Sequence, residues 1–110
     1  MKLSERQQIF AQNVARLILK MNESPYSCTL GEAYRTPEQS RLNAKTGTGI
    51  KNSLHCKRLA VDLNLFLSGV YCADTESHRS FGEYWESLNS FNRWGGRFSD
   101  GNHYEMKESV

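Results

Sequence analysis

The stretch that most constrains the fold is Ser53-Leu54-His55-Cys56-Lys57-Arg58-Leu59-Ala60-Val61-Asp62, which runs directly into Leu63-Asn64-Leu65-Phe66-Leu67. From Leu59 onward it alternates. Leu59, Val61, Leu63 and Leu65 fall on one side, and Ala60, Asp62, Asn64 and Phe66 on the other. That period of two predicts a strand with one face on an apolar core. It also sets Asp62 on the opposite face of a central strand, where an unpaired carboxylate is costly and asks for a cation or strong donors. His55 stands seven residues before it. A histidine and a carboxylate on rigid elements are two members of a metal shell, and a shell needs a third.

Asp100-Gly101-Asn102-His103-Tyr104-Glu105 can supply that third member. Residues 102–106 predict a short strand with His103 and Glu105 on one face and Tyr104 and Met106 on the other. Around these two stretches the pattern predicts an α+β fold: a small antiparallel sheet carrying the site, packed against two or three helices. Residues 4–21 read as an amphipathic helix capped by Ser4, with Ile9, Phe10, Val14, Leu17, Ile18 and Met21 on one face. Glu23-Ser24-Pro25 ends it, and Cys28-Thr29-Leu30 is β-prone. Thr36-Pro37-Glu38-Gln39 starts a second helix reaching about Lys45, with Thr36 as cap, Pro37 at the first helical position and Gln39 closing a capping box. Arg35, at the junction before it, either faces a site or forms a surface ion pair with Glu32 or Glu38.

Thr46-Gly47-Thr48-Gly49 reads as a flexible loop, without the spacing of a phosphate-binding loop. Ser68-Gly69 predicts a turn into a return strand at Val70-Tyr71-Cys72. Residues 73–80 read as polar loop with His78 solvated. Phe81 to Phe91 reads as a helix buried through Phe81, Tyr84, Trp85, Leu88 and Phe91. In Trp94-Gly95-Gly96 the glycines indicate a tight turn or a close backbone approach.

A chain of 110 residues makes one domain, 1–110, with one modest core. Fourteen basic against 12 acidic residues give a net charge of +2, spread without a basic block, so no nucleic-acid footprint is expected. The mild positive charge suits an anionic partner such as a cell wall. Three cysteines without a CxxC pair argue against a disulfide framework or a four-cysteine zinc ribbon. No signal peptide and no membrane span of 18 apolar residues is visible, so a soluble product made in the cytoplasm is expected.

A catalytic zinc takes three protein ligands and leaves a position for water, and His55, Asp62 and His103 are a set of that type. Bound zinc would bring a water near pKa 7 (about 7) and polarise an amide carbonyl, which is hydrolytic chemistry. Asp100 could serve as general base across the Gly101-Asn102 turn, with Glu105 as a supporting partner or alternative base. Arg35 could hold a substrate carboxylate or the developing oxyanion. Cys56 beside His55 would point to the other face of an extended chain, which favours a packing role over a nucleophile.

These residues resemble the zinc D-alanyl-D-alanine and L-alanyl-D-glutamate peptidases of bacterial cell-wall peptides. That family carries Ser-x-His-x-x-Gly-x-Ala-x-Asp and, far downstream, an acidic residue three positions before a final histidine. Ser53, His55, Ala60 and Asp62 match the first motif, and Asp100 with His103 the second. Trp94-Gly95-Gly96, His103-Tyr104-Glu105 and the segment from Glu32 to Gln39 are also similar to it. The resemblance implies zinc (Zn2+) held by His55, Asp62 and His103, Asp100 as base and Arg35 as substrate-side cation. One position departs: Arg58 stands where the motif has glycine, so the turn between the ligands is expected to lose an easy positive φ. Arg58 is alternatively expected to line the substrate groove.

Small size and the lack of a signal resemble phage endolysins of the L-alanyl-D-glutamate type. What that implies is a monomer acting on the peptidoglycan stem peptide, made in the host cytoplasm and reaching the wall after membrane permeabilisation. A D-alanyl-D-alanine carboxypeptidase or dipeptidase with the same site is the alternative. A zinc-holding wall-binding module without catalysis is a third reading, against which Asp100 speaks.

Overall fold

The computed structural model describes residues 1–47 and 53–108. The predicted loop at 46–49 is therefore seen only at its start, where Thr46 and Gly47 turn out of a helix; residues 48–52 lie outside the described residues.

The first helix, α1 (Leu3–Met21), forms because Phe10, Leu17 and Met21 recur on the face that meets the core. Burial of each such side chain contributes roughly 1.5–3 kcal/mol. It starts earlier than predicted. Lys2, not Ser4, is the cap residue, because the Glu5 carboxylate reaches back and accepts the Lys2 backbone N–H at 3.1 Å. That bond satisfies a free donor at the helix start and leaves Ser4 inside the first turn. Strand β1 (Tyr26–Leu30) follows, then α2 (Pro37–Lys45). Thr36 caps α2 as expected, its hydroxyl accepting Gln39 N–H at 3.1 Å. Gln39 does not close the box: its amide runs forward to Asn43 at 2.6 Å, one turn along the helix.

Strand β2 (Ala60–Leu67) is the centre of the sheet. Its alternation holds, with Val61, Leu63 and Leu65 buried in the core and Asp62 and Asn64 half-buried on the other face. β1 pairs antiparallel with it from Tyr26↔Leu67 to Leu30↔Leu63. Its other edge is shared. β3 (Val70–Cys72), returning through the Ser68-Gly69 turn, pairs with Leu65 to Leu67, and β5 (His103–Met106) pairs with Ala60 to Asp62. β4 (Asn92–Trp94), which no sequence pattern announced, completes the order β1-β2-β5-β4.

The third helix, α3 (Arg79–Leu88), packs with α1 against the apolar face of the sheet, Phe81 and Trp85 inward. Phe10 meets Trp85 edge-on at 5.6 Å, and Trp85 meets Tyr104 at 6.1 Å. The helix begins before Phe81 because the supposed loop at 73–80 is itself structured, and it stops at Leu88 because Asn89 turns extended ahead of β4. A 3₁₀ turn (Glu76–His78) leads into α3. His78 is not solvated but 1% exposed, its Nδ1 2.8 Å from the Tyr104 hydroxyl. Tyr104 comes from the core face of β5, so the assembled sheet brings this partner to His78, beside a bond to the Cys72 backbone. Burial pushes the His78 pKa down, favouring the neutral ring.

Trp94 locks β4 to the rest. Its indole N–H donates to the Gly101 carbonyl at 2.8 Å, and the ring lies where a Cβ on Gly96 would sit 2.2 Å from it. Gly95 is tighter still in backbone terms: a Cβ there would lie 2.1 Å from the Asp100 carbonyl and 2.7 Å from His103 Cβ. The expected close approach is therefore the path of residues 95–103 folding back on itself.

Candidate metal centre

Ser53 starts the site. Its hydroxyl accepts His55 N–H at 3.1 Å and caps a 3₁₀ turn (Leu54–Lys57). The turn closes through Arg58, whose N–H reaches the His55 carbonyl at 3.4 Å while Leu59 N–H reaches Leu54 O at 3.0 Å. Arg58 itself takes the left-handed conformation, φ 55 and ψ 38. The expected loss of a positive φ at this position is thus corrected. The cost of about 1–2 kcal/mol for a side chain there is offset by the closing bonds and by the guanidinium lying 4.1 Å from the Tyr34 ring centre. Arg58 borders a groove of about 440 Å³ against α1 with Tyr34 and Phe10, and His55, Asp62 and His103 are not among the residues lining it. The same turn keeps the packing role expected of Cys56 and corrects the reason for it. The chain there is not extended, and the thiol sits 2.9 Å from the Ser40 hydroxyl, in a packing contact with α2.

The antiparallel register then sets Asp62 opposite His103 across β2 and β5. Asp62 Oδ1 lies 3.4 Å from His55 Nε2 and 3.2 Å from His103 Nδ1. The three donor atoms all fall within 4.8 Å of one another, the one such group among the described residues. A tetrahedral zinc with bonds of about 2.0–2.2 Å holds its donors roughly 3.3–3.5 Å apart, so the donor set fits the ion in type and the two Asp62–histidine pairs fit it in spacing.

Each imidazole is oriented from behind. His55 Nδ1 is 3.3 Å from the Ala33 carbonyl, which fixes the proton there and leaves Nε2 as the free donor atom. His103 is turned the other way. Its Nε2 is 2.7 Å from Glu105 Oε1, leaving Nδ1 toward Asp62. Glu105 is held in turn by Arg93 on β4, with Nε at 2.8 Å and Nη2 at 2.6 Å from Oε2. Both Glu105 oxygens are thereby engaged, which makes it the orienting partner of His103 rather than an alternative base. Arg93 was not foreseen, because β4 was not; its register opposite Glu105 is the only signal.

The electrostatics show how strongly the pocket favours positive charge. Burial alone would raise the Asp62 carboxyl, but the two histidines outweigh it and hold it down at about 2. Burial likewise opposes charge on His103, but Asp62 and Glu105 on its two ring nitrogens carry it up to about 9. Asp100 is half-exposed, with Oδ2 3.9 Å from His103 Nδ1, and burial pushes its carboxyl up. Its position is set by Asp100 N–H to Gly95 O at 2.8 Å and His103 N–H to Asp100 O at 3.1 Å, the turn expected from Gly101-Asn102.

Arg35 reaches the same place from the other side. It pairs with Glu32, its side chain only 16% exposed, and Glu32 Oε1 is in turn 3.7 Å from His55 Nε2. The structure therefore brings together His55, Asp62, His103, Asp100 and Arg35, and adds Glu32, which the sequence offered only as a surface partner.

Comparison with known proteins bears on the family and the fold. The family model described as D-alanyl-D-alanine carboxypeptidase matches residues 46–106. Among solved structures, the L-Ala D-Glu endopeptidase ChiX of Serratia marcescens superposes with a TM-score of 0.71 at 20% identity, over 94% of this chain and 85% of that one. At that identity the likeness is one of fold. No curated protein matches. The matched family span exceeds half of the chain and contains the triad and Asp100, so the chain belongs to the D-alanyl-D-alanine carboxypeptidase family of metallopeptidases.

Proposed function

We propose that this protein is a zinc-dependent peptidoglycan endopeptidase that hydrolyses the L-alanyl-D-glutamate bond of the stem peptide, acting as a phage-type endolysin. The observation that carries the proposal is the closeness of the donors, with Asp62 3.4 Å from His55 and 3.2 Å from His103 and all three within 4.8 Å, and with a carboxylate, Asp100, at their half-exposed edge. His55 Nε2, Asp62 Oδ1 and His103 Nδ1 would hold the ion, which when bound lowers the pKa of water and polarises the scissile carbonyl.

The remaining work falls to the chain's own groups. Asp100 takes the proton of the attacking water on its free carboxylate oxygen and delivers it to the leaving amine nitrogen. Its raised affinity for protons, caused by burial, suits that exchange. Arg35 binds a carboxylate of the substrate and orients the amide over the triad. Glu105 and Arg93 keep His103 in one tautomer throughout.

The name of the structural neighbour, an L-Ala D-Glu endopeptidase, supports the choice of bond. The description of the matching family model favours a second reading, a D-alanyl-D-alanine carboxypeptidase with the same site. In the first reading the protein works as a monomer, is made in the host cytoplasm and meets the wall when another protein permeabilises the membrane.

Purified protein incubated with wall fragments separates the two. The expected result is one zinc per chain and a new D-glutamate amino terminus; release of D-alanine instead would sink the choice of bond. Asp100→Ala is expected to keep the zinc and lose hydrolysis by about 10²–10⁴-fold, whereas His103→Ala loses both. Normal hydrolysis by Asp100→Ala would remove it as the base. For the lytic role, expression alone should leave cells intact and co-expression with a membrane-permeabilising protein should lyse them. Lysis without it would refute that part.

A further inference from the structure

Arg35 and Glu32 form an ion pair, but not a surface one. The Arg35 side chain is 16% exposed, and its Nε is buried without a hydrogen-bond partner among the described residues. The carboxylate that holds Nη2 also lies 3.7 Å from His55 Nε2, the ring nitrogen that faces Asp62. Glu32 therefore stands between the guanidinium and the triad. It is fixed there by its backbone: the Glu32 carbonyl accepts Asp62 N–H at 2.8 Å, and Gly31 N–H donates to the Asp62 carbonyl at 2.8 Å. Arg35 is tied as well, its N–H reaching the His55 carbonyl at 3.3 Å. Residues 31–35 are thus stitched to two of the three triad residues.

A free arginine loses much rotamer freedom when it must present one edge to a ligand. A carboxylate that grips one Nη beforehand removes that loss and leaves the other N–H groups to a second acceptor. A fourth metal ligand is a poorer description of Glu32, because its near oxygen is committed to Arg35 and it falls outside the mutually close group of three donors.

We propose that Glu32 is a positioning residue, holding Arg35 so that the guanidinium N–H groups not taken by Glu32 receive a carboxylate on the leaving half of the substrate. Resting on the L-alanyl-D-glutamate reading, that group is the α-carboxylate of the D-glutamate residue. The site then selects peptides in which it is free over those in which it is an amide.

The test uses the zinc-loaded protein with Glu32→Gln, Arg35→Gln and both together. Two D-glutamyl product peptides, differing only in a free or amidated α-carboxylate, are titrated by calorimetry. KM and kcat are measured on the corresponding stem peptides, with zinc content and melting temperature alongside. Glu32→Gln is expected to weaken binding of the free-carboxylate product and to raise KM by about tenfold, with kcat within about threefold. The amide peptide should bind all variants alike, zinc should stay at one per chain, and the double variant should bind no worse than Arg35→Gln. Equal weakening of both peptides, additive losses in the double variant, or loss of zinc in Glu32→Gln would each overturn the proposal. Product binding does not need turnover. Failure to cleave the stem peptide therefore counts against the function reading, and failure of the binding pattern against Glu32.

Discussion

Gly95→Ala is the substitution whose outcome follows most directly from the coordinates. The added Cβ would lie 2.1 Å from the Asp100 carbonyl oxygen and 2.7 Å from His103 Cβ. Neither neighbour is the end of a flexible side chain: one is backbone, and the other is the root of a triad residue. Because Gly95 is not among the glycines with positive φ, the demand is for space and not for a left-handed conformation. Bringing the closest pair out to ordinary contact, near 3.4 Å, requires a shift of roughly 1 Å in residues 95–103. Overpacking of that kind costs about 1–3 kcal/mol. With about 4–8 °C per kcal/mol for a domain of this size, the melting temperature should fall by roughly 5–20 °C. The functional loss should exceed the loss of stability. The same shift carries Asp100 and His103 away from His55 and Asp62, and a misplacement near 1 Å costs about 100-fold in rate. Denaturant unfolding and hydrolysis of a stem peptide, measured at a temperature where the variant is fully folded, separate the two effects. A variant within about 0.5 kcal/mol of wild type that cleaves at an unchanged rate would refute the reasoning.

Three further outcomes follow from single contacts. Glu105→Ala removes the acceptor behind His103 Nε2 and leaves Arg93 unpaired, so zinc affinity should fall by about 10–100-fold in competition with a chelator. At His78 the folded pKa lies below the ordinary value of 6.5, so the unfolded chain binds the proton more readily. Its stabilising contribution is complete above pH 6.5 and is lost as pH falls from there through the depressed folded value. Urea midpoints between pH 8 and 5 should consequently fall more steeply for wild type than for His78→Gln; equal slopes would exclude this histidine as their cause. At Arg58 the left-handed backbone tolerates glycine and resists branching at Cβ. Arg58→Gly should unfold within about 1 kcal/mol of wild type, and Arg58→Val should lose about 1–3 kcal/mol.

The success and failure of the sequence as a guide divide along a physical line. Thr36 and Pro37 start α2 because capping and a fixed φ are properties of adjacent residues, and the β2 alternation is legible because side chains on a strand must alternate. Ser4 failed as a cap because Glu5 could satisfy the same free N–H from inside the first turn. His78 looked solvated because its neighbours in the chain are polar; its side-chain partner, Tyr104, is 26 residues away on another element.

The same division runs through the metal centre. Residue types and spacings within two short stretches were enough to name His55, Asp62, His103 and Asp100 and to signal a family. They were not enough to say that the atoms meet. That was decided by the pairing of β2 with β5, which sets Asp62 against His103 across 41 residues of chain. Tertiary structure also chose the ring nitrogens, through Ala33 behind His55 and Glu105 behind His103. It turned Glu32 from a surface partner into a neighbour of the triad. Local sequence determines which groups are available and how each segment curls; only the closing of the sheet brings donors from distant segments to within 4.8 Å of one another, because that distance belongs to no single segment.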